Sequence, residues 1–283
     1  MSVAVVTDST AYLPVELSSR HGLTVVPLTV VINGVHGLEG EEISPAQVAR
    51  ALSARRAAVS TSRPAPSQFT KAYRRLLDAG ADGIVSVHLS SVLSGTYEAA
   101  RLAAAEIGPA VEVVDSKTTG MGLGFAALAA GAAAAGGAPL EAVRRAAVHH
   151  SAQVSTLFYV DTLEFLRRGG RIGAASALLG TALSVKPILH MVDGAIVPRD
   201  KVRTAGRALA RLVDLAVDAS GVGEADIAVH HLEAPERAAT LADAVSVRLG
   251  DRLRDCYIAE IGAVVAAHAG PGVVGVVVHR RSA

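Results

Sequence analysis

Short apolar runs alternate with segments of helical periodicity throughout the first half of the chain. The apolar runs are rich in β-branched residues and have no polar face, which predicts strands that are buried on both sides. They occupy residues 3–7, 24–32, 84–88 and 111–114. Because strands that alternate with helices form parallel sheets, the pattern predicts a parallel α/β domain over residues 1–154.

The second half of the chain has a different pattern. One pair of its strand-like runs meets at Asp193-Gly194, which is a strong signal for a hairpin of antiparallel strands. We therefore expect a second α/β domain over residues 155–283, with a mixed or antiparallel sheet. The runs lie at residues 155–160, 187–192, 195–198, 227–232, 257–261 and 273–279.

Composition excludes several classes of protein. The 283 residues carry 27 Lys and Arg against 26 Asp and Glu, so there is no basic excess for gripping phosphate backbones, and nucleic acid is not expected as a partner. The single cysteine, Cys256, has no second cysteine in the chain for a disulfide. No basic stretch precedes the first apolar run, as it would in a signal peptide, and the expected location is the cytoplasm.

Residues 118–140 carry no charge and are long enough to cross a bilayer. Most of them are Ala and Gly, however, and Gly136-Gly137-Ala138-Pro139 ends any helix early. This composition favours a buried helix with close neighbours.

Hydroxyl side chains follow several of the predicted strands. They lie at residues 7–10, 90–96 and 115–116, and a further pair occurs at residues 61–62. Because ligands bind beyond the carboxyl ends of parallel strands, these groups predict a polar notch for an anion or carboxylate. Ser and Thr are also preferred helix caps, so each motif alone, such as Ser94 before a helix, also fits a structural role.

Three glycine-rich stretches admit two interpretations each. Gly122 and Gly124 fit a loose dinucleotide-binding pattern but lie several residues after the strand, which favours close helix packing. Gly169-Gly170 precedes Arg171; the two glycines either form a helix C-cap or leave the arginine side chain accessible for binding. The Gly-Pro-Gly that follows His268 by one residue suggests an imidazole positioned to reach a carboxylate; a buried histidine with satisfied hydrogen bonds is the alternative.

Taken in order along the chain, these motifs resemble the DegV family of bacterial fatty-acid-binding proteins, which includes the acyl-binding subunit of fatty acid kinase. The resemblance extends over nearly the whole chain. The matching segments are residues 7–14, 61–64, 90–97, 115–116 with 120–124, 161–164, 169–172, 186–189, 201–203 and 268–272.

The resemblance implies a DegV-like fold with two α/β domains and one long-chain fatty acid between them. Thr61, Ser94, Gly95 and His268 match the residues expected to hold the carboxylate. The protein would then be a carrier without catalytic residues, a metal or a cofactor other than the bound fatty acid. A partner fatty acid kinase would phosphorylate the carboxylate to an acyl phosphate for acyltransferases of phospholipid synthesis.

Arg171 and Arg203 match surface arginines that the resemblance associates with docking of the ATP-binding kinase subunit. Transient contact with a membrane is compatible with a lipid carrier. Two departures affect local hydrogen bonding only: Ala269 stands where many members have Thr, and Glu39-Gly40 where they have Asp-Gly.

An alkyl tail of about sixteen carbons gains roughly 12 kcal/mol when every methylene leaves water, before the costs of ordering, and this gain requires an apolar tunnel. The residues expected to line it are Ala174, Ala175, Ala177, Leu178, Leu179, Ala182, Leu183 and Ile188.

Two other functions stay open from the residues alone. The first is a hydrolase or transferase that acts on a small anionic substrate, with Ser94 as nucleophile and His268 as general base. The second is a dinucleotide-binding regulator that uses Gly122 and Gly124.

Overall fold

The computed structural model describes residues 2–54, 57–178 and 185–281. Its strands are β1 (Val3–Asp8), β2 (Leu23–Val26), β3 (Thr29–Ile32), β4 (Val35–Leu38), β5 (Val59–Ser62), β6 (Gly83–His88), β7 (Val111–Asp115), β8 (Val154–Tyr159), β9 (Lys186–Val192), β10 (Ala195–Val202), β11 (Ala225–His231), β12 (Leu253–Glu260) and β13 (Val274–Arg280).

The helices are α1 (Val15–Arg20), α2 (Pro45–Ser53), α3 (Pro66–Asp78), α4 (Thr96–Ile107), α5 (Met121–Ala135), α6 (Leu140–Ala152), α7 (Glu164–Arg168), α8 (Ala205–Ser220), α9 (Pro235–Leu249) and α10 (Ala263–Ala269). Short 3-10 turns lie at Ser9–Ala11, Gly173–Leu178 and Gly250–Arg252.

The chain forms two compact units, and each is assembled from two stretches of sequence. The first unit contains Met1–Thr29 and Ser62–Ala152, and the second contains Val30–Thr61 and Gln153–Ala283. The expected division between residues 154 and 155 placed Val30–Thr61 in the first domain. In the structure this stretch groups with the second unit, where α2 packs against α10.

The first unit is built on a parallel sheet in the order β2-β1-β6-β7, as the alternating pattern predicts. One face is covered by α3 and α4, whose Phe69, Tyr73 and small alanines pack on the strands. The uncharged segment contains α5, as expected for a helix with close neighbours: its glycines and the residues of its first two turns are buried, whereas its C-terminal alanines are partly exposed. No helix in the described part of the chain is long and apolar enough to span a membrane.

The predicted strand at residues 24–32 is wrong in one respect, because it is two strands. Pro27 lies between them and lacks the N–H that would continue the ladder. β2 stays in the parallel sheet, while β3 joins β4 and β5 in a small sheet of order β4-β3-β5.

The second unit is built on a mixed sheet in the order β10-β9-β8-β13-β11-β12. Only β11 and β12 pair in parallel among these described strands. The predicted hairpin joins β9 to β10, with Asp193 and Gly194 at φ of 47° and 83°. Both values lie in the left-handed region that a tight hairpin turn requires. Helices α8 and α9 bury their apolar faces on this sheet, around Leu212, Leu241 and Val276.

Candidate functional site

Two of the predicted site residues meet within the second unit. The hydroxyl Oγ1 of Thr61 lies 2.8 Å from the ring Nε2 of His268. Thr61 comes from the short strand β5, and His268 lies near the C-terminal end of α10, which ends at Gly270 with a φ of 78°. The two residues are 207 positions apart in the chain, so only the folded unit brings them together.

The other ring nitrogen of His268 faces Gly169. This Nδ1 is buried and has no hydrogen-bond partner among the described residues. A Cβ placed on Gly169 would overlap the imidazole. Burial, and to a smaller extent the positive charge of Arg171, lower the pKa of His268 to about 4, so the ring is neutral near pH 7.

Two more glycine contacts join the same two segments of chain. A side chain on Gly270 would overlap the ring of Phe165, and one on Gly272 would overlap the carboxylate of Asp161. Both glycines have positive φ, of 78° and 80°. The turn after His268 therefore packs on the segment around α7 through three positions where only hydrogen fits.

Asp161 is the centre of a polar cluster that sequence reasoning did not single out. The hydroxyl of Tyr159 donates to its carboxylate, and the Nζ of Lys186 donates to Oδ1 and to the backbone carbonyl at 3.0 and 3.1 Å. Arg237 lies 3.6 Å from the second carboxylate oxygen. Burial raises the pKa of Asp161, but these hydrogen bonds and charges outweigh it and hold the pKa below its usual range. Asp161 and Lys186 both lie in segments that resemble the family.

Ser94 and Gly95 lie in the first unit, in the loop between β6 and α4. The Oγ of Ser94 accepts the backbone N–H of Thr96 at 3.3 Å and lies 2.9 Å from its hydroxyl. Gly95 immediately precedes α4, and a Cβ there would lie 2.7 Å from the Cδ of Arg63. The N-cap of α4 is Gly95 and not Ser94, although Ser94 accepts the first helical N–H from one position earlier; its role in carboxylate binding stays a prediction.

The loop that carries Ser94 begins beside a buried carboxylate. Asp8, at the end of β1, accepts the backbone N–H of Leu89 at 3.0 Å and the Nδ1–H of His88 at 3.0 Å. Its other oxygen accepts the N–H and the hydroxyl of Thr10 at 3.1 and 2.6 Å. Asp8 thereby joins the ends of β1 and β6.

The hydrogen-bonded chain continues from His88 into the interior of the first unit. His88 Nε2 lies 2.7 Å from the Oγ of Ser86, which lies 2.8 Å from the hydroxyl of Tyr73. Tyr73, Ser86, His88 and Asp8 are all fully buried. The order of Asp, His and Ser follows that of a catalytic triad, but the serine lies inside a packed sheet where no substrate reaches it.

The two predicted docking arginines differ in their surroundings. Arg171 is half-buried and donates from Nη1 to the carbonyl of Gly169 at 2.6 Å. Arg203 is exposed and immediately precedes Thr204, which caps α8. Their role in docking a kinase stays a prediction.

The residues expected to line the tunnel fall into three groups. Ala175 and Ile188 are buried and Leu178 is half-buried. Ala174 and Ala177 are exposed, which does not fit an enclosed lining. Leu179, Ala182 and Leu183 lie outside the described residues.

Gly122 and Gly124 lie inside helix α5, not in a turn after a strand. A Cβ on Gly124 would lie 2.9 Å from Met121 Sδ and 3.0 Å from the carbonyl oxygen of Ala11. This geometry agrees with close helix packing. Within the described ranges, no three His, Cys, Asp or Glu side chains are grouped so as to hold a metal ion.

A comparison with known proteins covers nearly the whole chain. A family model described as "Uncharacterised protein, DegV family" matches residues 2–281. A DegV domain-containing protein of Streptomyces coelicolor is 54% identical over 282 residues, which are 99% of each chain. One of Mycobacterium tuberculosis is 41% identical over 98% of this chain and 97% of its own.

Solved structures agree with these sequence relatives. A DegV family protein from Thermus thermophilus, described by its fatty acid binding, superposes with a TM-score of 0.94 at 34% identity, over 99% of this chain and 100% of its own. DegV of Bacillus subtilis, described as a fatty acid binding protein, gives a TM-score of 0.89 at 31% identity over the same shares. With its whole length matched at this level of similarity, the chain belongs to the DegV family.

Proposed function

We propose that this protein binds one long-chain fatty acid and holds its carboxylate at Thr61 and His268. The observation that carries the proposal is the contact between these two side chains, because it joins the two motifs that the family resemblance assigns to carboxylate binding. The solved relatives from Thermus thermophilus and Bacillus subtilis, both described as binding fatty acids, support the choice of ligand.

The chemistry of the pair suits a carboxylate that must stay reactive. A hydroxyl donates a hydrogen bond to the acid, and a neutral imidazole beside it adds no fixed charge; each hydrogen bond to a charged acceptor contributes about 1.5 to 3 kcal/mol. A bidentate arginine would hold both oxygens and shield them. An uncharged donor such as the Thr61 hydroxyl, oriented by His268, leaves an oxygen available to an incoming phosphoryl group.

The proposal includes Ser94 and Gly95 as further groups for the carboxylate. It also includes presentation of the bound acid to a partner fatty acid kinase, which forms the acyl phosphate used by acyltransferases of phospholipid synthesis. Arg171 and Arg203 would contact that kinase. In this scheme the chain is a carrier, and the phosphoryl transfer is catalysed by the partner.

Mass spectrometry of lipid extracted from denatured, freshly purified protein tests the ligand. A long-chain fatty acid in about one equivalent is the expected result. Protein that releases none, and takes up none when titrated after delipidation, contradicts the proposal.

A second assay tests presentation to the kinase. The loaded protein is incubated with ATP and a bacterial fatty acid kinase, and acyl phosphate is trapped as the hydroxamate. Formation of the hydroxamate only when both proteins are present supports the carrier role. Its formation by this chain and ATP alone would show that the chain is itself an enzyme.

The hydrolase or transferase alternative has a separate test. With Ser94 as nucleophile, Ser94→Ala would abolish turnover of a small ester or phosphoester. In a carrier the same change only weakens retention of the lipid.

A further inference from the structure

We propose that Gly169 is a positioning residue for the carboxylate site. The Nδ1 of His268 packs against the Cα of Gly169 and carries no proton, so the ring proton lies on Nε2. The Thr61 hydroxyl is then a donor toward the ligand. This inference rests on the proposed function, because it assigns the direction of the hydrogen bonds at that site.

The first step is steric. Gly169 has a φ of −74° and a ψ of −8°, which any residue adopts, so its backbone does not require glycine. The space where its side chain would stand is filled by the imidazole of His268. The requirement for glycine therefore comes from the histidine.

The second step counts the protons on the ring. A neutral imidazole has one N–H and one lone pair. Nδ1 is buried and meets no acceptor among the described residues. The polar groups of Gly169 are engaged, since its N–H donates to the carbonyl of Phe165 at 2.9 Å and its carbonyl accepts from Arg171 at 2.6 Å.

A buried N–H without an acceptor carries a larger penalty than a buried lone pair, because unpaired donors are the rarer and costlier case in folded proteins. The proton of His268 therefore belongs on Nε2. The low pKa of His268 is consistent with a ring that carries only this one proton near pH 7.

The third step follows the hydrogen bond to Thr61. With the proton on Nε2, His268 donates to Oγ1 across 2.8 Å. The single hydroxyl proton of Thr61 is then free to donate to a carboxylate oxygen. With the opposite tautomer, Thr61 would donate to the ring and turn its lone pairs toward the negatively charged ligand, which repels it.

The fourth step concerns how Gly169 is held in place. The contacts of Gly270 with Phe165 and of Gly272 with Asp161 join the segment around α7 to the turn after His268. The Nζ of Lys186 holds Asp161 in place by donating to the carboxylate and to the backbone carbonyl of Asp161. Gly169 therefore lies in a segment that packs on the turn after His268 at two further positions, Phe165 and Asp161.

The test compares Gly169→Ala with Gly206→Ala, whose added methyl group points into open space in helix α8. Delipidated proteins are titrated with palmitate. Gly169→Ala is expected to weaken binding about tenfold or more, the effect of losing one hydrogen bond to a charged group. Gly206→Ala is expected to bind as the unchanged protein does. Equal affinities for the two variants overturn the inference.

A nitrogen-15 spectrum of the histidine rings reads the tautomer directly, and comparison with His268→Gln identifies the signal. We expect a pyridine-type Nδ1 and a protonated Nε2 in the delipidated protein, with the signal displaced in Gly169→Ala. A protonated Nδ1 in unchanged protein that still binds palmitate overturns the inference and leaves the proposed function intact. Failure of unchanged protein to bind palmitate contradicts the proposed function itself. The spectrum needs only the unchanged protein and His268→Gln, so the inference stays testable if Gly169→Ala does not fold.

Discussion

Each unit of this protein places an imidazole beside a hydroxyl, and the two arrangements differ in what flanks the ring. In the first unit His88 Nε2 lies 2.7 Å from Ser86, and in the second His268 Nε2 lies 2.8 Å from Thr61. The Nδ1 of His88 pairs with Asp8, whereas the Nδ1 of His268 faces Gly169 and has no hydrogen-bond partner in the part of the chain that the structure describes.

This difference reverses the direction of the hydrogen bond. A carboxylate only accepts, so the Nδ1–H of His88 donates a hydrogen bond to Asp8. In a neutral ring Nε2 then carries a lone pair and accepts a hydrogen bond from the Ser86 hydroxyl, which itself accepts from the hydroxyl of Tyr73. At His268 the tautomer that we propose makes the ring the donor instead. The first chain donates its protons internally and stabilises the fold, while in the arrangement that we propose the second retains a hydroxyl proton for a ligand.

The largest effect is expected from Asp8→Asn. The amide turns a donor toward the N–H groups of His88, Leu89 or Thr10 and leaves them buried without an acceptor, which costs about 3 to 5 kcal/mol. Urea unfolding of the delipidated protein measures the change. The control is Asp200→Asn at the partly exposed pair with Arg211, where less than about 1 kcal/mol is expected. Similar losses in both variants would show that Asp8 is not the centre of the network.

The next effect is the contribution of His268 to the pH dependence of stability. Its pKa is about 4 in the folded protein and about 6.5 when unfolded, so the unfolded chain binds the extra proton between these values. The stabilisation is complete above pH 6.5 and is lost as the pH falls through 4. Between pH 7 and 5, the unchanged protein should lose about 2 kcal/mol more than His268→Gln does.

Urea unfolding at pH 7 and pH 5 measures this difference. His230, whose pKa burial also lowers to about 4, is present in both proteins and cancels. If both proteins lose the same free energy of unfolding between pH 7 and pH 5, the pKa of His268 is not lowered by folding, and its ring is not buried in the way that we infer.

A crossed pair of substitutions sharpens the comparison of the two hydroxyls. Thr61→Val keeps the shape of the side chain and should weaken palmitate binding about tenfold or more; it also removes the acceptor of His268 Nε2–H, which lowers the free energy of unfolding by about 1 to 3 kcal/mol. Ser86→Ala leaves Tyr73 and His88 without their shared partner and should lower the free energy of unfolding by about 1 to 3 kcal/mol, with palmitate affinity unchanged. Titration and urea unfolding of both variants decide this, and the same pattern in both would remove the distinction between scaffold and site.

The smallest effect on the isolated protein is expected from Arg203→Ala. The side chain is exposed, so stability should change by less than about 0.5 kcal/mol and palmitate binding should stay the same. The rate of acyl phosphate formation with a fatty acid kinase should fall, because the proposed contact is lost. An unchanged rate would remove Arg203 from the docking surface.

The sequence predicts the parallel and mixed sheets because hydrophobic periodicity and the Asp193-Gly194 turn are local signals. It also brings Thr61 and His268 together, but only through the family resemblance. The split at Pro27 was missed because two short apolar strands with one proline between them look like a single long strand.

The polar networks were not predictable for a different reason. Asp8 and His88 are 80 positions apart, and nothing in their neighbouring residues indicates that they pair. Gly169 was interpreted as a possible C-cap, and it does end α7. Its contact with His268 depends on a packing arrangement that no local pattern encodes.

The division of the second unit into two stretches of chain also governs when the site can form during synthesis. Thr61 precedes His268 by 207 residues, so at ribosomal rates of about 5 to 20 residues per second it is made roughly ten to forty seconds earlier. The first unit is complete at residue 152, before most of the second has been translated. The residues of the first unit are therefore available for folding first, and the contact between Thr61 and His268 can form only after residue 268 has been made.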